Sequence, residues 1–380
     1  MSTDAIADFL ADQRDETPDD LQHLIIHFEN CWERKLWHQL TDALVEFFDN
    51  PQSEKQRLQF FDVFVLKFAD KINQLKLVDL GLKAATQCPN DQKRLTFLTH
   101  LAEKVDSENS QDAYVYATVA VARVQLDLRD FESSRKDLDK AAEILETFDS
   151  VETKVHASFY QVNADYYQAK ADFASYYRNA LLYLACIDLS SLSPDERRAR
   201  AYDLGIAALV SDSIYNFGEL LQHPILDALT GAVAWLRELL LAFNRGDLAA
   251  YDVLSGHISS NKLLKEHVED VRQKIYLAAL TESVFRRPPH QRAMSFGTIS
   301  TDTKVRPDEI EHLVMKALSL GLVRGTIDEV DELVNFTWVQ PRILDMSQIA
   351  SMNKRLGEWG ENVNTLGNWI EATGQDIWAP

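Results

Sequence analysis

One short turn recurs along this chain and constrains what it can fold into. An acidic or amide residue followed by an apolar one sits between runs of helical apolar spacing, as Asp130-Phe131, Asp172-Phe173, Asn216-Phe217 and Asp247-Leu248. The steps from Phe131 to Phe173, then to Phe217, then to Leu248 are 42, 44 and 31 residues. Periods of about 34 to 45 residues belong to helical solenoids, whose unit is a pair of antiparallel helices. One such pair cannot bury its own apolar face, so the stacking of pairs supplies the core. The apolar residue after each turn is expected to pack between the two helices of its pair. From residue 20 to 286 the apolar spacing is mostly 3 and 4, and glycine (13 residues) and proline (10) are scarce, as helices require.

Local signals mark the remaining organisation. Ser193-Pro194-Asp195-Glu196 predicts a helix start: serine accepts an amide hydrogen, Glu196 reaches back, and proline fits the first helical position. Arg286-Arg287-Pro288-Pro289 ends the helical region, because two prolines stop a helix. Beyond it, a short helical piece near Phe296 precedes a longer helix from Pro307. That helix carries Ile310, Leu313, Val314, Ala317 and Leu318 on one face, with Gly321 where a left-handed cap belongs. Two strands, 322–327 and 333–339, flank an acidic turn, and Pro341 closes the second. Helix, helix and two-stranded ribbon make a winged helix. Residues 345–372 read as helical again. Ile349, Leu356, Val363 and Ile370 recur every seven residues, and Met352, Trp359 and Leu366 do so offset by three. Gly357, Gly360 and Gly367 lie off this seam, each costing about 1 kcal/mol against alanine. A weak helix with a complete apolar seam needs something to pack on: a partner bundle, or the chain's own repeats.

Composition narrows the function. The 380 residues carry 59 acidic and 39 basic side chains, a formal net charge of −20. Such a polyanion is poorly matched to nucleic acid or to an anionic membrane. Cys31, Cys88 and Cys186 are odd in number and widely spaced, which argues against a disulfide framework and for a reducing compartment. The first thirty residues lack an apolar signal segment, and no apolar run reaches membrane-spanning length, so the chain reads as soluble and intracellular. Asn335-Phe336-Thr337 is a glycosylation triplet without meaning in a reducing compartment. Phosphate-binding glycine loops, nucleophile elbows and zinc-protease motifs are all missing from the sequence. His23 and His27 share a helical face but lack a third ligand, and Cys31 and Cys88 read as small buried residues. No cofactor, metal or catalytic residue is expected.

The winged helix has the wrong charge for DNA. Residues 294–343 hold five basic and eight acidic side chains, and the wing Asp328-Glu329-Val330-Asp331-Glu332 would be repelled by phosphate. The basic run Arg286, Arg287 and Arg292 lies outside the motif and reads as a solvated linker facing an acidic neighbour. The acidic helix and wing suit a protein contact better.

These parts resemble the PCI-domain family of scaffold subunits, found in the proteasome lid, the COP9 signalosome and translation initiation factor three. Tyr215–Pro224, Leu313–Asp331 and Thr337–Leu344 resemble the PCI lid subunits of the 26S proteasome in particular. The likeness runs the full length, strongest from about 200 to 345 and weaker before 110. It implies a mainly α fold: a right-handed TPR-like helical solenoid (1–175), a PCI domain (176–343, with a helical part 176–287 and a winged helix 293–343) and a C-terminal bundle helix and tail (345–380). It implies a non-catalytic scaffold needed for lid assembly and ubiquitin-dependent degradation, working as a hetero-oligomer in cytoplasm and nucleus. Expected partners are a neighbouring PCI subunit, the MPN-domain subunits and the ubiquitin receptor, with no nucleic acid and no membrane. The chain would stand at one end of a horseshoe of winged helices. Arg324, Thr326, Asp328, Phe336 and Trp338 are expected at the PCI contact. Ile349, Met352, Leu356, Trp359, Val363, Leu366 and Ile370 are expected in the bundle. The alternative is a PCI subunit of the COP9 signalosome, of initiation factor three or of a messenger RNA export complex.

Overall fold

The computed structural model of the chain describes residues 3–107, 109–148, 152–288, 291–340 and 346–378. Two compact units meet between Leu192 and Ser193. Residues 175 and 176, where the family resemblance implied the division, lie inside a helix, Phe173–Cys186.

The first unit is built from α1 (Thr3–Glu16), α2 (Asp19–Glu33), α3 (Trp37–Asp49), α4 (Arg57–Val63), α5 (Gln74–Ala85), α6 (Asp91–Val105), α7 (Gln111–Asp127), α8 (Phe131–Glu146), α9 (Thr153–Ala169) and α10 (Phe173–Cys186). One apolar cluster runs from Ile6 to Val162 through all of these helices except α10. Its early part is phenylalanine-rich. Phe47 and Phe60 meet at 4.9 Å between ring centroids, and Phe28 meets Phe47 edge-on at 5.7 Å. Trp37 stacks on Phe68 at 5.6 Å, with the Lys71 ammonium 4.8 Å from its ring centre. Each fully buried phenylalanine contributes about 1.5–3 kcal/mol of burial.

The recurring turn has one geometry at three of its four places. After α7 the chain passes through Arg129 at φ 62°. The Arg129 N–H donates to the Leu126 carbonyl and the Asp130 N–H to the Gln125 carbonyl, both at 2.9 Å. After α9, Ala171 stands at φ 58°, and Ala171 and Asp172 repeat the two bonds to Gln168 and Tyr167 at 3.1 and 3.0 Å. After Arg245, Gly246 at φ 64° and Asp247 repeat them to Phe243 and Ala242 at 3.2 and 2.9 Å. The left-handed residue satisfies the last carbonyls of one helix, and the aspartate caps the first amides of the next. Asp130 and Asp172 each accept from an amide three residues on at 3.2 Å, and Asp247 accepts from Ala249 and Ala250.

Phe131 is half-buried and reaches beyond its own pair. It meets Tyr166 of α9 at 6.4 Å, with the Lys170 ammonium 4.7 Å from its ring centre. Phe131 therefore joins its pair to the next.

The second unit contains α11 (Pro194–Val210), α12 (Gly218–Gln222), α13 (Ala234–Arg245), α14 (Leu248–Ser260), α15 (Lys262–Glu266), α16 (Val268–Arg286), β1 (Ala293–Ser295), α17 (Phe296–Thr303), α18 (Pro307–Ser319), β2 (Val323–Asp328), β3 (Leu333–Val339) and α19 (Met346–Trp378). The Ser193 capping box forms as expected: Glu196 N–H donates to Ser193 Oγ at 3.3 Å, and Ser193 N–H donates to Glu196 Oε2 at 3.1 Å. The Asn216 junction does not follow the common turn. Helix α11 stops at Val210, and Ser211–Phe217 runs without helix before the short α12. Asn216 Oδ1 still accepts from Gly218 N–H at 3.1 Å. No left-handed residue is present there; the carbonyls at the end of α11 are taken up instead by the Lys274 side chain.

The winged helix has a sheet of order β1-β3-β2, antiparallel throughout. The strand β1 was not legible as one: three residues are too few to show alternation. Ile310, Leu313, Val314 and Ala317 of α18 are buried as expected, while Leu318 is half-buried. Gly321 is left-handed at φ 69°. Pro341 lies outside the described residues, as do Pro289 and His290 of the linker. Among the described residues no helix is long and apolar enough to cross a membrane.

The turn geometry makes a prediction. Ala171→Gly removes left-handed strain of about 1–2 kcal/mol at a smaller cost in unfolded-chain entropy, so stability should rise by about 0.5–1 kcal/mol. Asp172→Ala removes the cap and should cost about 1 kcal/mol. Chemical denaturation of the two variants checks both signs.

Candidate partner-binding surfaces

The C-terminal helix α19 is 33 residues long, which corresponds to about 50 Å. All seven seam residues, Ile349, Met352, Leu356, Trp359, Val363, Leu366 and Ile370, are exposed. Leu356 and Trp359 are 62% and 66% open, and the neighbouring Trp369 is 62% open. A Cβ added to Gly357, Gly360 or Gly367 would meet nothing within 4 Å. The seam is thus a continuous apolar stripe that no described residue of the chain covers, on a helix with few devices of its own. One i,i+4 pair, Lys354 with Glu358 at 3.9 Å, lies on its surface. An apolar stripe of this length is unusual on a lone soluble chain and marks a protein contact.

The winged helix presents a mixed surface. Arg324, Thr326 and Asp328 are exposed on β2, an edge strand. Arg324 sits opposite Trp338 on β3, its guanidinium carbon 4.8 Å from the ring centre. Trp338 is half-buried. Phe336, expected in the same contact, is instead 2% exposed and belongs to the core with Val334. The pleat explains this: Val334 and Phe336 stand two residues apart and share the inward face. Asp328 has an internal task, because its Oδ1 accepts from the Val330 and Asp331 amides at 3.2 Å and shapes the wing. That turn carries Val330 outward, 93% exposed among acids. Gly325 lies at a strand irregularity, where an added Cβ would come within 2.3 Å of the Asn335 carbonyl oxygen.

The start of α18 is acidic, with Asp308 and Glu309 in its first turn and Arg306 paired to Glu309. The basic run is largely neutralised within the chain. Arg286 Nε bonds Glu282 and an Arg287 nitrogen bonds Asp302, both at 2.9 Å, and Arg292 Nε donates to the Arg287 carbonyl at 3.4 Å. Arg286, Arg287, Glu282 and Asp302 border an open cleft of about 820 Å³, lined also by Arg245, Lys304 and Asp247. Among the described residues, α18, the wing and the linker offer no run of free cations to phosphate.

Nucleophilic and metal chemistry find little support. Burial pushes the thiols of Cys31, Cys88 and Cys186 up, away from the thiolate form that reacts. His23 and His27 lie exposed on α2, with His27 Nε2 3.5 Å from the Cys31 sulfur. Among the described residues no group of three metal-ligating side chains comes together.

Comparison with known proteins finds three family models along the chain. Residues 24–240 match the family of PSD13 N-terminal repeats, 248–338 the PCI domain, and 342–374 the Rpn9 C-terminal helix. The chain is 47% identical over 373 residues to the probable 26S proteasome regulatory subunit rpn9 of Schizosaccharomyces pombe, covering 98% of this chain and 97% of that one. It is 40% identical over 384 residues to the 26S proteasome regulatory subunit RPN9 of Saccharomyces cerevisiae, covering 97% of each. A distant likeness, 26% over half of this chain and 41% of the other, links it to subunit M of eukaryotic translation initiation factor 3 from Coccidioides immitis.

The charge on the winged helix yields a prediction. The full chain should leave labelled duplex DNA unbound at micromolar protein and about 50 mM salt, where nonspecific DNA binders of ordinary strength are retained. A filter-binding titration reads this directly, and salt-sensitive retention would contradict the surface assignment.

Proposed function

The chain belongs to the family of 26S proteasome regulatory subunits that includes the two yeast Rpn9 proteins, and from that membership we propose a non-catalytic scaffold held in the regulatory-particle lid by two surfaces. One is the winged helix, meeting a neighbouring PCI subunit. The other is α19, joining a bundle of terminal helices. MPN-domain subunits and the ubiquitin receptor are the further neighbours proposed, and cytoplasm and nucleus the proposed location. The observation that carries this reading is the uncovered seam from Ile349 to Ile370. Burying each large apolar side chain of the seam contributes about 1.5–3 kcal/mol before ordering costs. No catalytic residue is assigned. The protein's contribution to ubiquitin-dependent degradation is to bring other subunits together.

Two linked contacts strengthen each other. Once the winged helix is engaged, α19 binds as though its partner were at high local concentration. Removing residues 345–380 should therefore leave a folded chain that joins the lid poorly, scored by native gel after reconstitution. The pair Leu356→Ala with Trp359→Ala should weaken incorporation on the order of 30-fold, as central aromatic anchors do. The melting temperature of the free chain should barely move, because both side chains are open to solvent there. A large drop in that temperature would instead place the seam against the chain itself.

A further inference from the structure

Lys274 lies in the middle of α16 and is only 4% exposed. Its Nζ donates to the carbonyls of Ala208 at 2.7 Å, Ser211 at 2.6 Å and Leu209 at 3.3 Å. The rings of Tyr215 and Phe217 stand 5.3 and 5.4 Å from it. No described carboxylate bonds it. All three ammonium hydrogens are spent on the carbonyls that end α11, the negative pole of that helix.

The loop that follows reaches the winged helix. Tyr215 packs on the apolar cluster that joins Leu277, Leu280 and Val284 of α16 to Met294, Ile310 and Val334. Tyr215 and Asn216 also border a small cavity with Leu322 and Gln340, on either side of β2 and β3. We propose that the Lys274 amino group, charged or neutral, is the clamp that seats the winged helix on its helical support. By gathering the free carbonyls of α11 it fixes Ser211–Phe217 against α16, and that loop holds the base of the wing. The clamp belongs to the folded chain itself; only its consequence for the angle presented to a neighbouring subunit rests on the scaffold reading above.

The clamp has a pH signature. Burying a cation is costly, and burial pushes the Lys274 pKa from its ordinary value of 10.5 down to about 7, against the opposing attraction of the Asp212 carboxylate. Any opened form hydrates the ammonium and restores the ordinary value. Between these limits the closed form holds the neutral amine, which still donates to two of the carbonyls, while the opened form takes up a proton, so opening becomes harder as pH rises, by up to tenfold per unit. The other ionisable groups around the site are Asp212 and Tyr215 on the loop, Asp270 on α16 and Lys316 on α18. Burial pushes the Tyr215 phenol above its ordinary value of 10.0, away from the neutral end of the window.

Hydrogen exchange with mass spectrometry on the full chain tests this, using wild type and Lys274→Met from about pH 7 to about pH 10. In Lys274→Met, the amides of 212–217 and of the α18–β2 junction should lose at least tenfold in protection, with α13 unchanged. In wild type, protection of the same amides, corrected for intrinsic rates, should rise by up to tenfold per pH unit, and the variant should lack that rise. Wild-type protection in Lys274→Met, or the same pH slope in both proteins, overturns the clamp. If Lys274→Met does not fold, Lys274→Gln, which keeps two donors and cannot titrate, is read instead: protection without the pH rise supports the clamp, and a wild-type slope in that variant refutes it. Incorporation of Lys274→Met into the lid is read separately, so failure of the scaffold reading and failure of the clamp remain distinct.

Discussion

Two antiparallel helices cover each other only along the stripe where they touch. Whatever apolar surface remains must be covered by the next element, and most of this chain follows from that constraint. The repeated turn makes it workable. A left-handed residue closes one helix and an aspartate opens the next within a few residues, at Arg129-Asp130, Ala171-Asp172 and Gly246-Asp247. Short turns of one shape keep each pair antiparallel and leave a constant face for its neighbour. The contact of Phe131 with Tyr166 shows how one pair is tied to the next.

The same constraint shapes the winged helix. A three-stranded sheet and two helices of this size bury too little by themselves, and their cluster borrows Leu277, Leu280 and Val284 from α16. That dependence makes the seat of the winged helix a matter of how α16 is held, and the buried Lys274 ties α16 to the end of α11. A surface with an acidic helix start, an acidic wing and internally paired arginines is poorly matched to phosphate.

Much of this was legible in the residues. Helical spacing, the Ser193 box, the left-handed Gly321 and the buried face of α18 all follow from local rules, and they formed. Where reading failed, a longer-range cause is visible. The Asn216 junction lacks the common turn because a distant lysine satisfies the carbonyls that the turn would have taken. Phe336 turned inward by the pleat it shares with Val334, a period-two signal that outweighs its aromatic character. Lys274 lies four residues before Ala278 and three after Val271 on the buried face of α16, so its burial was readable. Its carbonyl partners, more than sixty residues away, were not.

Helix α19 is where the covering rule goes unmet within the chain. Its glycines weaken it, and its apolar stripe faces solvent from Ile349 to Ile370. The central claim is that other polypeptides complete it. The most direct measurement is amide hydrogen exchange across residues 346–378 in the free chain and in purified 26S regulatory particle. The account predicts fast exchange in the free chain and at least hundredfold protection in the particle, concentrated on the seam. Equal protection in both states would show that the helix needs no partner and would contradict it.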